Sequence, residues 1–385
     1  CAICNTNDVN HVYEIKIQLK KLSGLAAHAL FYKSNRGVVS GILLKSHFFF
    51  LLSHLRTRVN SMAEVASELL PLLRVYKDGS VERLSGSPMV LPSPDEDPET
   101  GVSSKDITIS ENPKISARVY LPKLAQPIST QKLPILFYTH GGGFCFESAF
   151  SLVETKLMNA LVSEAKVVAI SIEYRLAPEH PLPIAYEDSW SALQWVASHS
   201  VNNGGFDNKE PWLARFGDFD RVFVAGDSAG ANIAHHVVMR AGREKLAGGV
   251  KILGAFLTHP YFWGSKPVGS EDTRDFEKLL PSLVWKFLCP NVAGGADNPM
   301  INVVSPEAPT LAQLGCRRLL VSVAELDVLR DRGILYYNAV KESGWEGEVE
   351  LVQVEGEDHA FHILKYETEN ARKMIKRLGS FVLKQ

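Results

Sequence analysis

Cysteine is scarce in this 385-residue chain, and the five present, Cys1, Cys4, Cys145, Cys289 and Cys316, are odd in number and scattered. That pattern excludes a disulfide framework, and beyond the pair at the N-terminus it has no metal-ligand spacing. A reducing, cytoplasmic setting is therefore expected, with no metal. Excess charge of either sign is also missing, since 41 Lys and Arg face 43 Asp and Glu, for a formal net charge of -2. Neither a nucleic acid nor an anionic membrane surface would find a basic field to bind. No long unbroken apolar run occurs: the best candidate, GILLKSHFFFLLSHL at 41–55, is interrupted by Lys45 and His47. It falls short of the roughly 18 apolar residues of a membrane span. Internal repeats are absent too. With 45% hydrophobic residues the chain can bury a large core, and its partner is expected to be a small molecule without strong charge.

Acids are missing from the first 61 residues, where only Asp8 and Glu14 stand against eight Lys or Arg. A transit peptide has such a composition. The preferred reading treats residues 1–61 as an extension outside the folded domain, with Met62 as its start and a single catalytic domain over 62–385.

From Met62 onward the patterning is regular. AEVASELLPLLRVY (63–76) has helix-like apolar spacing up to Pro71, DGS supplies a turn, and SGSPMVLPSPDEDPETG (85–101) is a proline-rich acidic loop. Residues 62–110 are read as an arm laid over the domain. ISARVYLP alternates like a strand, whereas LPILFYTH and KVVAISIEY are nearly continuous apolar runs, the mark of strands buried on both faces. Helical segments alternate with these and with later strands, which predicts a mostly parallel sheet covered by helices on both sides. The irregular stretch at 262–300 is read as a cap insertion, and Phe262, Trp263, Trp285 and Phe287 fit an apolar cap wall and plain core packing equally.

Within this frame lies GDSAG, residues 226–230. With glycine and serine each near 7% of average usage, such a pentapeptide arises by accident in roughly one chain of this length in eight. Its setting is more telling. RVFVA runs into it as a strand and ANIAHHVVMRA leaves it as a helix, so the two glycines make room for a sharp elbow that presents Ser228, exposed, at the carboxyl edge of the sheet.

A serine hydroxyl needs a base, and the base needs an orienting carboxylate. In the chain order serine, acid, histidine, the strand tip ELDVLRD supplies Asp327, with Glu325 and Asp331 left open because one sequence does not fix the register. EGEDHAFHI supplies His359, chosen over His362 because it follows its strand at once.

The stretch FYTHGGGFCFES fits the same chemistry. An ester carbonyl under attack becomes an oxyanion, and bare backbone N–H groups must already point at it. We expect the N–H groups of Gly142, Gly143 and Ala229 to form this oxyanion hole, His140 to tie down the loop, and Cys145 to line the pocket or fill space beside it. A phosphate-cradling loop would need a Lys-Ser/Thr ending, and no Gly-x-Gly-x-x-Gly follows a strand, so no cofactor is expected. Glu187 and Asp188 are expected to cap the following helix or hold its loop.

HGGGF, IEYRLAPEHPLPIAYED, GDSAGANIAHH, ELDVLRD and EDHAF together resemble the hormone-sensitive-lipase-type branch of the α/β-hydrolases, and among these the plant carboxylesterases. LLPLLRVYKDGSVERL and DPETGVSSKDI resemble the arm of the subgroup that includes 2-hydroxyisoflavanone dehydratases and gibberellin receptors. The resemblance begins near Met62 and implies an α/β-hydrolase fold with an N-terminal arm serving as part of a lid. It further implies a triad of Ser228, Asp327 and His359 with the oxyanion hole just named. Hydrolysis of small apolar esters is the expected activity. The alternatives are a lyase acting on a flavonoid-like substrate and a hormone receptor. Some dehydratases of this subgroup carry Thr at the nucleophile position, whereas this chain keeps Ser228; the receptors resemble hydrolases that have lost the base, and His359 is present.

Overall fold

The computed structural model describes residues 12–17, 27–32, 64–124, 132–201 and 209–384. The expectations for the run at 41–55 and for Met62 lie outside them. The chain divides into two compact units, Cys1–Glu64 and Val65–Gln385. In the first, β1 (Val12–Ile17) pairs antiparallel with β2 (Ala27–Tyr32).

The second unit opens with an antiparallel meander of β3 (Val65–Leu69), β4 (Leu73–Tyr76) and β5 (Val81–Arg83). This corrects the helix-like reading from 63 up to Pro71. Pro71, which has no N–H to give a helix, lies in the turn between β3 and β4. Two short strands around Pro71 satisfy the backbone instead, with Leu69, Leu72 and Leu73 buried beneath them. Ser80 donates both its N–H and its hydroxyl to Asp78 Oδ1, making the turn read from DGS.

The central sheet has eight strands: β6 (Ser103–Glu111), β7 (Lys114–Leu121), β8 (Leu133–Thr139), β9 (Val168–Glu173), β10 (Gly217–Asp227), β11 (Ile252–Thr258), β12 (Arg318–Ala324) and β13 (Glu348–Val354). Their order is β13-β12-β11-β10-β8-β9-β7-β6. Every pair from β9 across to β13 is parallel, and β7 pairs antiparallel with both β6 and β9. The apolar runs behave as two-sided strands should. Along β8, Ile135 and Phe137 join one core while Leu136 and Tyr138 join the other.

Helices complete both layers. On one face lie α1 (Leu152–Ala165) and, at the far end of the chain, α7 (Phe361–Leu364) and α8 (Glu369–Leu383); Leu157, Phe361 and Leu378 belong to their shared core. The opposite face carries α2 (Ile184–Ser198), α3 (Pro211–Phe216), α4 (Ala229–Ala241) and α6 (Arg330–Glu342), with Leu193, Ile233 and Tyr336 buried. Between β11 and β12, the stretch expected to be irregular contains a helix, α5 (Leu280–Leu288). Among the described residues no helix is long and apolar enough to cross a membrane.

Candidate active site

Parallel strands β10, β12 and β13 end at one edge of the sheet, and the loops beyond those ends build the site. The turn from β10 into α4 places Ser228 at φ 53°, ψ -117°, outside ordinary backbone space for a non-glycine residue. Its neighbours must be glycines. A Cβ at position 226 would stand 2.4 Å from the Gly230 backbone, and one at position 230 would stand 2.0 Å from the Thr139 carbonyl oxygen. The Ser228 N–H donates to Thr258 O (2.9 Å) and Tyr261 N donates to Ser228 O (3.0 Å), which locks the strained residue in place. Sequence reading expected Ser228 to stand exposed. It sits at the expected edge but is only 9% exposed, within a cavity that Leu72, Leu280, Pro281 and Val284 also line.

Asp327 follows β12 and His359 follows β13, and the two loops are bonded to each other. Glu325 N donates to Val354 O and Leu326 N to Glu357 O, both at 2.9 Å. His359 Nδ1 lies 2.8 Å from Asp327 Oδ2 and its Nε2 lies 2.9 Å from Ser228 Oγ. With Nδ1 protonated, the imidazole donates to the carboxylate and accepts from the serine hydroxyl. The second Asp327 oxygen accepts from Leu329 N at 2.8 Å, so the carboxylate is fixed in rotation. Burial opposes a charge on either partner. Their mutual attraction overrides it, holding the Asp327 pKa below its usual range and lifting that of His359 to about 9.

The residues left open as acids point elsewhere. Glu325 Oε2 accepts from Gly356 N (2.8 Å), and Asp331 accepts from the Ser270 hydroxyl (2.8 Å). His362 is buried within α7, and burial pushes its pKa down to about 3, leaving it neutral.

The glycine loop follows β8. Gly142 (φ 94°) and Gly143 (φ 56°) are left-handed, and both line one cavity with Ser228 and His359. Among the hydrogen bonds of the described residues none uses the N–H of Gly142 or Gly143. Ala229 is the first residue of α4, where helix geometry leaves the N–H without an internal partner. His140 behaves as expected, with Nδ1 2.9 Å from Gly141 O and its ring stacked on Tyr174. Asp188 ties down its loop by accepting from Arg175 N and Nε.

Where the sequence left lining the pocket and packing beside it both open, the structure shows packing. Cys145 is fully buried away from the cavity, and its carbonyl accepts from Arg83 Nε of the arm (2.8 Å). Phe262, Trp263, Trp285 and Phe287 pack into the core behind the cap rather than facing the cavity. Trp263 stacks on Phe276 and donates to Ser282, and Trp285 donates to Gly295 O, because an indole N–H buried this deeply must find a partner. From the stretch 262–300 the cavity wall takes aliphatic side chains, Leu280, Pro281 and Val284, and Leu72 also lines the cavity.

Sequence reading also missed three residues around the triad, Asp227, His259 and Glu154. His259 and His362 flank Asp227, and the ligand-type atoms of these three lie within 4.8 Å of one another, the one such group among the described residues. Burial opposes the Asp227 charge, but the His259 bond (3.3 Å) and the nearby imidazoles hold its pKa below the usual range. Glu154, in the first turn of α1, lines the cavity at 2% exposure. Burial, reinforced by neighbouring carboxylates and opposed by the Gly141 N–H, raises its pKa well above normal, which favours the neutral carboxyl. In the sequence Glu154 looks like an ordinary acid at a helix N-terminus; only the fold turns it inward.

The cavity holds about 260 Å³ and is lined mainly by apolar side chains, with no Lys or Arg among the described residues that line it. A nucleophile, a base and an orienting acid in hydrogen-bonded series, beside bare amides, can carry out acyl transfer. A family model described as the alpha/beta hydrolase fold matches residues 136–363. The chain is 58% identical over 327 residues to a 2-hydroxyisoflavanone dehydratase of Glycyrrhiza echinata, covering 85% of this chain and 99% of that one. It is 43% identical to probable carboxylesterase 13 of Arabidopsis thaliana, over 83% of this chain and 98% of that one. Among solved structures, an esterase of Pyrobaculum calidifontis is similar at 30% identity and a TM-score of 0.56, covering 72% of this chain and 84% of that one. With strand order, elbow and sequence in accord, the chain belongs to the α/β-hydrolase fold family.

Proposed function

We propose that this protein is a serine carboxylesterase that cleaves small, uncharged, mainly apolar carboxylic esters through an acyl-enzyme. The observation that carries this reading is the unbroken series Asp327–His359–Ser228, with both hydrogen bonds under 3 Å. Ser228 Oγ attacks the ester carbonyl carbon while its proton passes to His359 Nε2. The charge that forms on the carbonyl oxygen is held by the N–H groups of Gly142, Gly143 and Ala229. Collapse of this intermediate breaks the C–O bond, and the leaving alcohol takes the proton from His359. A water then attacks the acyl-serine, gives its proton to the same nitrogen, and the acid departs as Ser228 recovers its hydrogen. Asp327 stays ionised throughout and steadies the imidazolium.

In this reading the arm at 62–110 and the cap at 262–300 form a lid, supported by the positions of Leu72, Leu280, Pro281 and Val284 on the cavity wall. Among the described residues the cavity has no Lys or Arg to receive a carboxylate, which argues against a receptor for a small acid. Free cysteines at Cys145, Cys289 and Cys316 support a cytoplasmic location.

One comparison favours a second reading, since the relative at 58% identity is a 2-hydroxyisoflavanone dehydratase. In a lyase His359 would remove a proton next to a carbonyl, and the same amides would hold the enolate oxygen. Purified protein given a p-nitrophenyl ester and a 2-hydroxyisoflavanone, each with and without a fluorophosphonate probe, separates the two. Probe-sensitive ester turnover supports the esterase; dehydration without ester turnover replaces it with the lyase.

A further inference from the structure

Among the described residues lining the cavity, Glu154 is the polar side chain outside the triad whose hydrogen-bonding capacity is left partly open, although the Gly141 N–H donates to its carboxyl group. Glu147 also lines it, but its two oxygens accept from Ser87 N (2.8 Å) and Ser87 Oγ (3.3 Å) of the arm. Tyr261 spends its hydroxyl on Pro281 O, and Asp227 is held by Thr258 and His259. Glu154 accepts from the Gly141 N–H, but its Oε2 is buried with no hydrogen-bond partner among the described residues. A buried polar atom without a partner is destabilising, and a fold keeps one where a ligand completes it.

The chemistry of that ligand follows from the surroundings. A neutral carboxyl offers one O–H donor and retains acceptor capacity, and a hydroxyl group answers both by accepting and donating in turn. An anion would meet no Lys or Arg among the described residues of the cavity. An ammonium group would demand that two charges be stripped of water among Val153, Val284, Leu329 and Ile363, which the mainly apolar lining does not repay.

We infer that Glu154 is a specificity-determining residue that hydrogen-bonds an uncharged hydroxyl group of the substrate, so that hydroxylated esters are preferred to plainly apolar ones. The inference rests on the esterase reading above and adds to it the polar feature its substrate carries.

The test uses phenyl acetates bearing a hydroxymethyl group at the ortho, meta or para position, each paired with its methyl counterpart, and the full-length protein. For at least one position the hydroxymethyl ester should have kcat/KM about tenfold or more above its partner. Glu154→Leu should bring that ratio to about one, while Glu154→Gln, which keeps a donor and an acceptor, should retain most of it. The same pairs bound to Ser228→Ala protein should show the same preference in Kd. Equal rates and affinities for every pair in the wild type overturn the inference. A ratio that survives Glu154→Leu overturns it too, as does an aminomethyl ester preferred over the hydroxymethyl one. A purely structural Glu154 would lower both members of a pair alike and leave the ratio in place. If the wild type hydrolyses none of the esters, the esterase reading has failed, and the Kd ratio in Ser228→Ala protein still decides the role of Glu154.

Discussion

A Cβ added to Gly142 would stand 2.1 Å from the carbonyl oxygen of Phe146. The loop closes so tightly because Cys145 N and Phe146 N both donate back to Gly142 O, at 2.9 and 3.0 Å. With φ at 94° as well, position 142 excludes any side chain on two independent grounds.

Gly142→Ala should therefore displace the loop and with it the N–H assigned to the oxyanion. Loss of one such donor lowers kcat by about 10²- to 10³-fold. Forcing alanine into that backbone region costs about 1–3 kcal/mol, seen as a lowered Tm. Full activity in a folded Gly142→Ala protein would remove this loop from the oxyanion site.

Asp327→Asn should preserve the fold and lower kcat by about 10⁴-fold, because an amide presents the wrong hydrogen-bonding pattern to His359 Nδ1. Glu325→Gln should leave the rate nearly unchanged, since Glu325 bonds to Gly356 N and not to the imidazole. Steady-state kinetics on a p-nitrophenyl ester compares the two, and the reverse order of effects would move the acid to Glu325.

Only the neutral imidazole of His359 accepts the serine proton. Although burial works against its charge, the Asp327 carboxylate raises its pKa from 6.5 to about 9. In the free enzyme kcat/KM should accordingly climb with pH along a limb above 6.5 and approaching about 9, and Asp327→Asn should shift that limb to lower pH. Stability runs the other way. A pKa raised in the folded state contributes fully below pH 6.5, and that contribution disappears as the pH rises through about 9. A wild-type limb at or below 6.5 would contradict this coupling.

Removal of residues 1–61 should alter neither solubility nor ester hydrolysis, as each residue assigned to the site lies beyond Glu64. Expression of the shortened chain followed by kinetics checks this; an insoluble or inactive product would tie the segment to the folded unit.

The framework was legible in the sequence because two-sided apolar strands, the GDSAG elbow and the HGGG run are local signals with steric causes. Gly226 and Gly230 illustrate this, each facing backbone at 2.4 Å or closer. What sequence order left open, the register between β12 and β13 resolves, since pairing of Ala324 with Val354 brings Asp327 and His359 face to face. Features that depend on packing were not legible. The spacing of AEVASELL suits a helix, but Pro71 and the pairing of Leu69 with Leu73 make it a strand. Trp263 and Trp285 look like pocket residues by type, yet their indole N–H groups are spent within the cap. Glu154 gives no sign in the sequence that it turns toward the cavity.

The most direct test is to treat the protein with a fluorophosphonate, locate the adduct by peptide mass spectrometry, and assay a short-chain p-nitrophenyl ester before and after, alongside Ser228→Ala. The expected result is a single adduct on Ser228, abolished turnover, and a folded Ser228→Ala protein slower by about 10⁵- to 10⁶-fold. An adduct on another residue, or undiminished hydrolysis by Ser228→Ala, would contradict the account.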